Sequence, residues 1–382
     1  MKILYCIPSL SNPGGMERVI TEKVNYLAAL SGFEIFIVTT DQMGKDIRFN
    51  LHDSVTLIHL DLDFDGHFNV SLIKKFLLHR QKLIDYKQKL LNIMSLHNIE
   101  ICISLCGKEI EFFQSLPVPS KKIAELHFAM NFRKQFITAR KSGFIWSMFG
   151  NIRTYQFKRA VKHLDKLVVL TKNDMHQWKA THSNIIQIPN PSPFRNVEVS
   201  DLDSKNVITV GKLDPQKGYD MLIDAWALIN KKCPDWMLNI YGQGEWKEML
   251  VEKIAALNLQ EVVVLHGVSM KIADEYKRSS FYVMSSRFEG LPMVLIEAMS
   301  FGLPIISFDC EFGPSEIVTD GVDGYLVEPN NIEELANRIC FLIENEDKRK
   351  LMGQQAIINV RRFDKETVMQ QWLNLFDSLM MS

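Results

Sequence analysis

Two series of short apolar segments, each alternating with stretches of helical period, run along this chain and are separated by a proline-rich break. Such alternation builds parallel, doubly wound α/β sheets, because joining two parallel strands takes a crossover long enough to hold a helix. The first series reads as strand at Ile3–Ile7, a glycine-containing loop at Ser9–Gly15, helix at Met16–Leu30 and strand at Glu34–Thr39. Further strands follow at Val55–Leu60, Glu100–Leu105, Lys121–Leu126 and Lys166–Thr171. The break lies where three prolines fall between Ile188 and Phe194 and a polar stretch leads on to Asn206. The second series reads as strands at Val207–Val210, Trp236–Tyr241, Val262–His266, Phe281–Ser285 and Pro304–Phe308. Helices at Tyr219–Ile229, Glu245–Leu257, Met270–Arg278 and Pro292–Phe301 separate them, and helical period over Ile332–Val360 and Glu366–Met380 closes the chain. At 382 residues the chain exceeds the size at which one core keeps growing. The expected division is a first domain over 1–190, a linker over 191–205 and a second domain over 206–364.

Several function classes fall away on composition and spacing. A net charge of −1 argues against a protein that coats nucleic acid. The six cysteines include no C-x-x-C pair and read as buried thiols in a reducing, cytoplasmic setting. The opening MKILYCIPSL is interrupted by Pro8 and lacks a small-residue cleavage site, so it reads as a strand rather than a signal peptide. No apolar run reaches the roughly 18 residues a membrane span needs. Asp61, Asp63, Asp65 and Gly66 form D-x-D-x-D-G, but a calcium loop needs Glu at its twelfth position, which here is Leu72. Gly242 and Gly244 begin a G-x-G whose third dinucleotide-binding glycine would fall at Lys247, and there is no Walker A sequence. No metal site is expected.

The chemistry gathers in the second half. The loop GKLDPQKGYD places Gly211, Lys212 and Lys217 between a strand end and a helix start, where open α/β sheets bind ligands. Two ammonium groups beside a helix N-terminus suit a diphosphate. In FEGLPMVLIEAMSFGLPII, Glu289 precedes a helix opened by Pro292, and Glu297 lies near its second turn. Two such carboxylates can accept hydrogen bonds from ribose or sugar hydroxyls. The same residues also read as a solvated lysine pair and an ordinary helix-face glutamate. The apolar neighbours of Glu297 favour a carboxylate paired with a ligand.

In order along the chain, NPGGMER, VGKLDPQKG, YGQGE, FEGLPMVLIEA and GVDGYLVEP resemble the signatures of family 4 of the retaining GT-B glycosyltransferases, the glycosyl transferases group 1. The spacing of Glu289 and Glu297 coincides with the E-x7-E pattern of that family. The resemblance runs from Ile3 to about Val327. It implies the GT-B fold, two Rossmann-like domains facing across a cleft, with a C-terminal helix, 365–382, returning to the first domain. It further implies that Lys212 and Lys217 bind a donor diphosphate, that Glu297 holds the ribose and that Glu289 contacts the donor sugar. The amides of Gly290 and Leu291 would add phosphate contacts. Lys212 stands where relatives commonly carry Arg, so the charge is kept and the bidentate fork is lost. Gly14 and Gly15 match a glycine-rich loop that approaches the donor phosphate, with the Glu17-Arg18 pair of the family behind them. They also read as a plain strand-to-helix turn. His127 matches a histidine near donor sugar and acceptor, although a lone histidine is ordinarily structural.

The activity implied is transfer of a hexose or N-acetylhexosamine with retention, from a nucleotide diphosphate sugar, UDP-sugar by preference. The acceptor implied is a glycan or lipid-linked saccharide in bacterial surface polysaccharide synthesis, and neither metal nor cofactor is required. Between Lys121 and His163, ten basic residues face the single acid Glu125, with Phe128, Phe132, Phe136, Phe144, Trp146 and Phe149 lying among them. That mixture suits the anionic inner face of a membrane, with Lys74 to Lys89 as a second basic stretch, or else a charged helix packing its aromatics on the core. Two other readings stay open: a UDP-sugar epimerase of the same architecture, and a non-catalytic nucleotide-sugar-binding protein.

Overall fold

The structure of the chain, a computed structural model, describes all residues except 13, 65, 67–70, 131–134, 136–143 and 382. It divides into two units, one of Met1–Met130, Asn151–Pro193 and Glu366–Ser382 and the other of Asn131–Gly150 and Phe194–Lys365.

The first unit is built from β1 (Lys2–Ile7), α1 (Gly15–Ala28), β2 (Glu34–Thr39), β3 (Thr56–His59), α2 (Leu72–Leu96), β4 (Ile101–Ser104) and β5 (Lys121–Leu126). α3 (Phe144–Val161), which belongs to this unit from Asn151 on, β6 (Lys166–Val169), α4 (Lys172–Lys179) and β7 (Ile185–Gln187) follow. The strands form a parallel sheet in the order β3-β2-β1-β4-β5-β6-β7. Both faces of its centre are covered, so β1, β2 and β4 are largely apolar and successive residues serve different cores. Ile3, Tyr5 and Ile7 of β1 join Ile35, Ile37, Ile101, Ile103 and Ile123 on one face. Leu4 and Cys6 join Phe36, Val38, Cys102 and Ala124 on the other. α1 covers the first face through Ile20, Val24 and Leu27. α2 covers the second through Tyr86, Leu90 and Met94.

The second unit repeats the plan with β8 (Asn206–Val210), α5 (Tyr219–Ile229), β9 (Met237–Tyr241), α6 (Lys247–Ala256), β10 (Val263–Gly267), α7 (Ile272–Lys277) and β11 (Phe281–Met284). α8 (Met293–Ser300), β12 (Ile305–Phe308), α9 (Pro314–Ile317), β13 (Gly324–Val327), α10 (Ile332–Glu344) and α11 (Glu346–Val360) complete it. Its parallel order is β10-β9-β8-β11-β12-β13. The last helix, α12 (Lys365–Met380), lies in the first unit and adds Val368, Met369, Trp372, Leu375, Phe376 and Leu379 to the core face of β1.

Strands β7 and β13 and the short helix α9 are elements that the sequence reading left out, and the single helical stretch over Ile332–Val360 is two helices. Asn345 is the reason for the break: it sits at φ −118° and ψ 80°, and its Nδ2 donates to Phe341 O at 2.8 Å.

Candidate active site

In each sheet the chain runs outward in one direction and then returns to the other side of its first strand, which leaves a switch point beside β1 and β4 and another beside β8 and β11. Loops leaving the carboxyl ends of two such strands diverge, and the gap between them is the natural ligand site.

In the second unit those loops are 211–218 and 285–291, and hydrogen bonds stitch them together. Arg287 N donates to Gln216 O at 2.8 Å, Gln216 Nε2 to Phe288 O at 3.0 Å, and Ser285 Oγ to Lys217 O at 3.0 Å. The Arg287 guanidinium forks onto both oxygens of Asp220 in the first turn of α5, at 2.9 and 2.7 Å. Gly218 makes this close approach possible. It holds φ +64°, and a Cβ there would run into Ser285 O. Gly242 and Gly244, which fail as a dinucleotide motif, carry the other flank: Gly211 N donates to Tyr241 O and Leu213 N to Gln243 O, at 2.9 and 3.0 Å. A side chain at either glycine would collide with the carbonyl of Gly211 or Leu213.

This frame brings Lys217 and Glu289 together, with Nζ donating to Oε1 at 2.7 Å and side-chain exposures of only 18% and 7%. Glu297, on α8, accepts from Tyr276 OH at 2.9 Å. Tyr282 responds to both acids: burial first, and then the Glu289 and Glu297 carboxylates, push its phenol up from the ordinary value. The Cys310 thiol is likewise raised, first by burial and then by Glu289. Lys212 does not join the pair. Its side chain is 62% exposed and its Nζ stands 3.9 Å from Asp214 Oδ2. Gly290 is half-buried and Leu291 buried, one turn ahead of α8. Two groups escaped the sequence reading. Ser286 Oγ and Asp309 Oδ1, just past the ends of β11 and β12, are buried without a hydrogen-bond partner, and buried polar atoms of that kind await one. No local motif marks either residue.

In the first unit Gly14 caps α1 in an extended conformation and Gly15 opens the helix. Glu17, in the first turn, is buried, accepts from Asn12 Nδ2 at 3.2 Å and folds against Gly14, where a Cβ would strike its carboxylate. His127 follows β5. Its Nε2 is 3.1 Å from Glu125 Oε1, at ion-pair distance but out of line for a hydrogen bond, and its Nδ1 lies 3.5 Å from Asn190 Nδ2. Lys23 of α1 donates to both oxygens of Glu125, at 2.6 and 2.7 Å, and all of this is buried. Burial acts to raise the Glu125 carboxyl, but the Lys23 and His127 charges override it and hold it at about 2.

Of the D-x-D-x-D-G residues, Asp61 accepts from Met43 N at 2.7 Å and Asp63 lies 4.0 Å from Lys82 Nζ, which suits a charged loop; Asp65 lies outside the described residues. The basic and aromatic residues between 131 and 143, Phe132, Arg133, Lys134, Phe136, Arg140 and Lys141, also lie outside them. No helix among the described residues is long and apolar enough to cross a membrane.

Residues 192–358 match the family model of the glycosyl transferases group 1. An uncharacterized glycosyltransferase of Haemophilus influenzae is 29% identical over 97% of this chain and 98% of its own length. The amylovoran biosynthesis glycosyltransferase AmsD of Erwinia amylovora is 36% identical over 56% of this chain and 62% of its own. Among solved structures, sucrose-phosphate synthase from Thermosynechococcus elongatus superposes with a TM-score of 0.82 at 17% identity, covering 100% of this chain and 99% of that one. Staphylococcus aureus TarM, in complex with fondaparinux, α-GlcNAc-glycerol and UDP, gives 0.75 at 17% identity over 98% and 99%. The two parallel α/β sheets are those of the GT-B fold. The family match, over residues 192–358, falls almost entirely in the second unit, the one that holds the Lys217–Glu289 pair, and both relatives above are named as glycosyltransferases.

Proposed function

We propose that the chain is a retaining glycosyltransferase of family 4 that moves a hexose or N-acetylhexosamine from a UDP-sugar to a glycan or lipid-linked acceptor in surface polysaccharide synthesis. The observation that carries this reading is the Lys217–Glu289 pair at the switch point of the second sheet. The Lys217 ammonium meets the donor diphosphate, joined by exposed Lys212 and by the amides of Gly290 and Leu291 ahead of α8. Glu289 then accepts from hydroxyls of the donor sugar, and Glu297 from the ribose. Ser286 and Asp309 offer two further polar atoms to the same ligand. The Gly14–Gly15 loop and His127, which resemble phosphate-facing and sugar-facing positions of the family, belong to the same proposal.

In the reaction, the bond from C1 of the sugar to the β-phosphate oxygen breaks while a bond from C1 to the acceptor oxygen forms on the same face. The acceptor proton passes to the departing phosphate oxygen, and UDP leaves. The chain's part is electrostatic: Lys217 and Lys212 stabilise the charge that grows on the leaving group. The amylovoran and TarM likenesses support the choice of UDP and of a polymeric acceptor.

A panel of nucleotide sugars tests this, first by thermal stabilisation and then by release of UDP with an acceptor present. The expected result is stabilisation by one UDP-sugar and transfer that persists in chelator, because lysines rather than a metal carry the charge. Stabilisation by no nucleotide sugar contradicts the reading.

Attachment to an anionic membrane at the inner, cytoplasmic face belongs to the same proposal, and α2 supplies an observation for it. Ile73, Phe76, Leu77 and Ile84 recur at helical spacing on one face and are all exposed, Ile73 by 76%. Lys74, Lys75, Arg80 and Lys82 accompany them, with no acid before Asp85. An apolar stripe edged with cations suits a bilayer interface. Co-sedimentation with vesicles containing phosphatidylglycerol checks it; binding is expected to be lost in Phe76→Asp/Leu77→Asp and with neutral vesicles. Equal binding by the variant contradicts it.

A further inference from the structure

We propose that the buried Lys23–Glu125 pair is a positioning device for His127, clamped by Trp372 of the C-terminal helix. The inference rests on the proposed transfer reaction, in which His127 faces the donor sugar.

β5 sets up the geometry. Side chains alternate along a strand, so Ile123, Glu125 and His127 share the sheet face that α1 and α12 cover. Lys23 reaches that face from α1, in step with Ile20 and Val24. Its ammonium is fully buried, bonds to both oxygens of Glu125 and stands 3.6 Å from the centre of the Trp372 ring. Tyr5 presents a second ring at 5.9 Å. The ammonium is therefore held between a carboxylate and two aromatic faces. Glu125 is fixed in turn, and its Oε1 faces His127 Nε2 at 3.1 Å.

Energetics argue that stability alone does not account for such a pair. Removing two charges from water costs several kcal/mol per ion, and well-packed apolar residues of similar volume commonly serve stability as well or better. What apolar residues cannot do is hold an imidazole in one tautomer. A carboxylate 3.1 Å from Nε2, though out of line for a hydrogen bond, attracts a proton there electrostatically, which favours that form and leaves Nδ1 to face Asn190. Carboxylates set the orientation of metal-binding histidines by the same physics. The ring is thereby held at the end of β5, and α12, through Trp372, becomes part of what sets the site.

Replacing both charges at once separates positioning from structure. Lys23→Met/Glu125→Leu is expected to melt within a few degrees of the wild type. Its turnover is expected to fall by about 10²-fold, the scale of a misplaced catalytic group, with KM for the donor unchanged because the diphosphate contacts lie in the other unit. In nitrogen NMR of the full chain, with His127 assigned through His127→Gln, the wild type is expected to show one Nε2-protonated tautomer and the double variant a mixture. Should the double variant melt too low, Glu125→Gln, which is isosteric and still accepts from Lys23, takes its place with the same readouts. Wild-type turnover in the variant, or an unchanged His127 tautomer, overturns the proposal. If the wild type transfers no sugar at all, the proposed function fails, while the NMR readout still decides the role of the pair.

Discussion

Lys217 is held by its neighbours rather than by choice of rotamer, because most of its stem is covered and its ammonium is spent on Glu289. A diphosphate arriving there finds an ammonium already in place, so little side-chain entropy is lost on binding. Lys217→Ala is expected to lower turnover by about 10² to 10³, the usual effect of removing one charge-stabilising donor. Glu289→Gln keeps the shape and loses the charge, and is expected to lower kcat with the affinity for UDP nearly unchanged; steady-state kinetics over donor concentration checks both. The buried Glu125 predicts an acid response. Its carboxyl titrates at about 2 in the folded chain and near 4.3 when unfolded. Its stabilising contribution is thus complete above about pH 4.3 and is lost as pH falls from there through about 2. Melting curves between those limits are expected to fall more steeply for the wild type than for Lys23→Met/Glu125→Leu. Of these residues the sequence displays Lys217, Glu289 and Glu297, because a strand-loop-helix junction and a fixed spacing are local patterns. Lys23 and Glu125 are 102 residues apart. Nothing in a helical stretch distinguishes a lysine that turns inward from one that faces water, so that pair becomes visible only with the sheet assembled.

Elements act here through their ends. Strands β8 and β11 are ordinary buried apolar segments, and the residues of the proposed site lie in the loops that leave them, tied by Gly218 against Ser285. Gly218→Ala forces a Cβ into a left-handed position and against a carbonyl, and is expected to cost about 1–3 kcal/mol and to abolish stabilisation by UDP. Thermal melts with and without nucleotide measure both effects. Strands such as β1, β2, β4 and β11 are readable because burial on both faces demands continuous apolar runs. β13 was not, since Gly324–Val327 is four residues enclosed by turn-forming sequence. The break at Asn345 was hidden for the opposite reason. Leu342 before it and Met352 after it enter the same core, so apolar period runs on across the interruption.

At the scale of the molecule, one plan is used twice, and each sheet has a point where strand order reverses, the place where open α/β sheets bind ligands. α12 makes the last residues of the chain part of the core of the first unit. Six large apolar or aromatic side chains are buried there, at roughly 1.5–3 kcal/mol apiece, so their loss is on the order of the whole net stability of a domain. Truncation after Asp364 is therefore expected to yield insoluble or protease-sensitive protein, read by solubility and limited proteolysis; a soluble, resistant product would count against the packing described. The central claim is that one sugar nucleotide is bound at the carboxyl end of the second sheet. The most direct measurement is a crystal structure of the protein with UDP. The diphosphate is expected beside Lys217, ahead of α8, with the ribose on Glu297; UDP bound away from these residues would contradict the account.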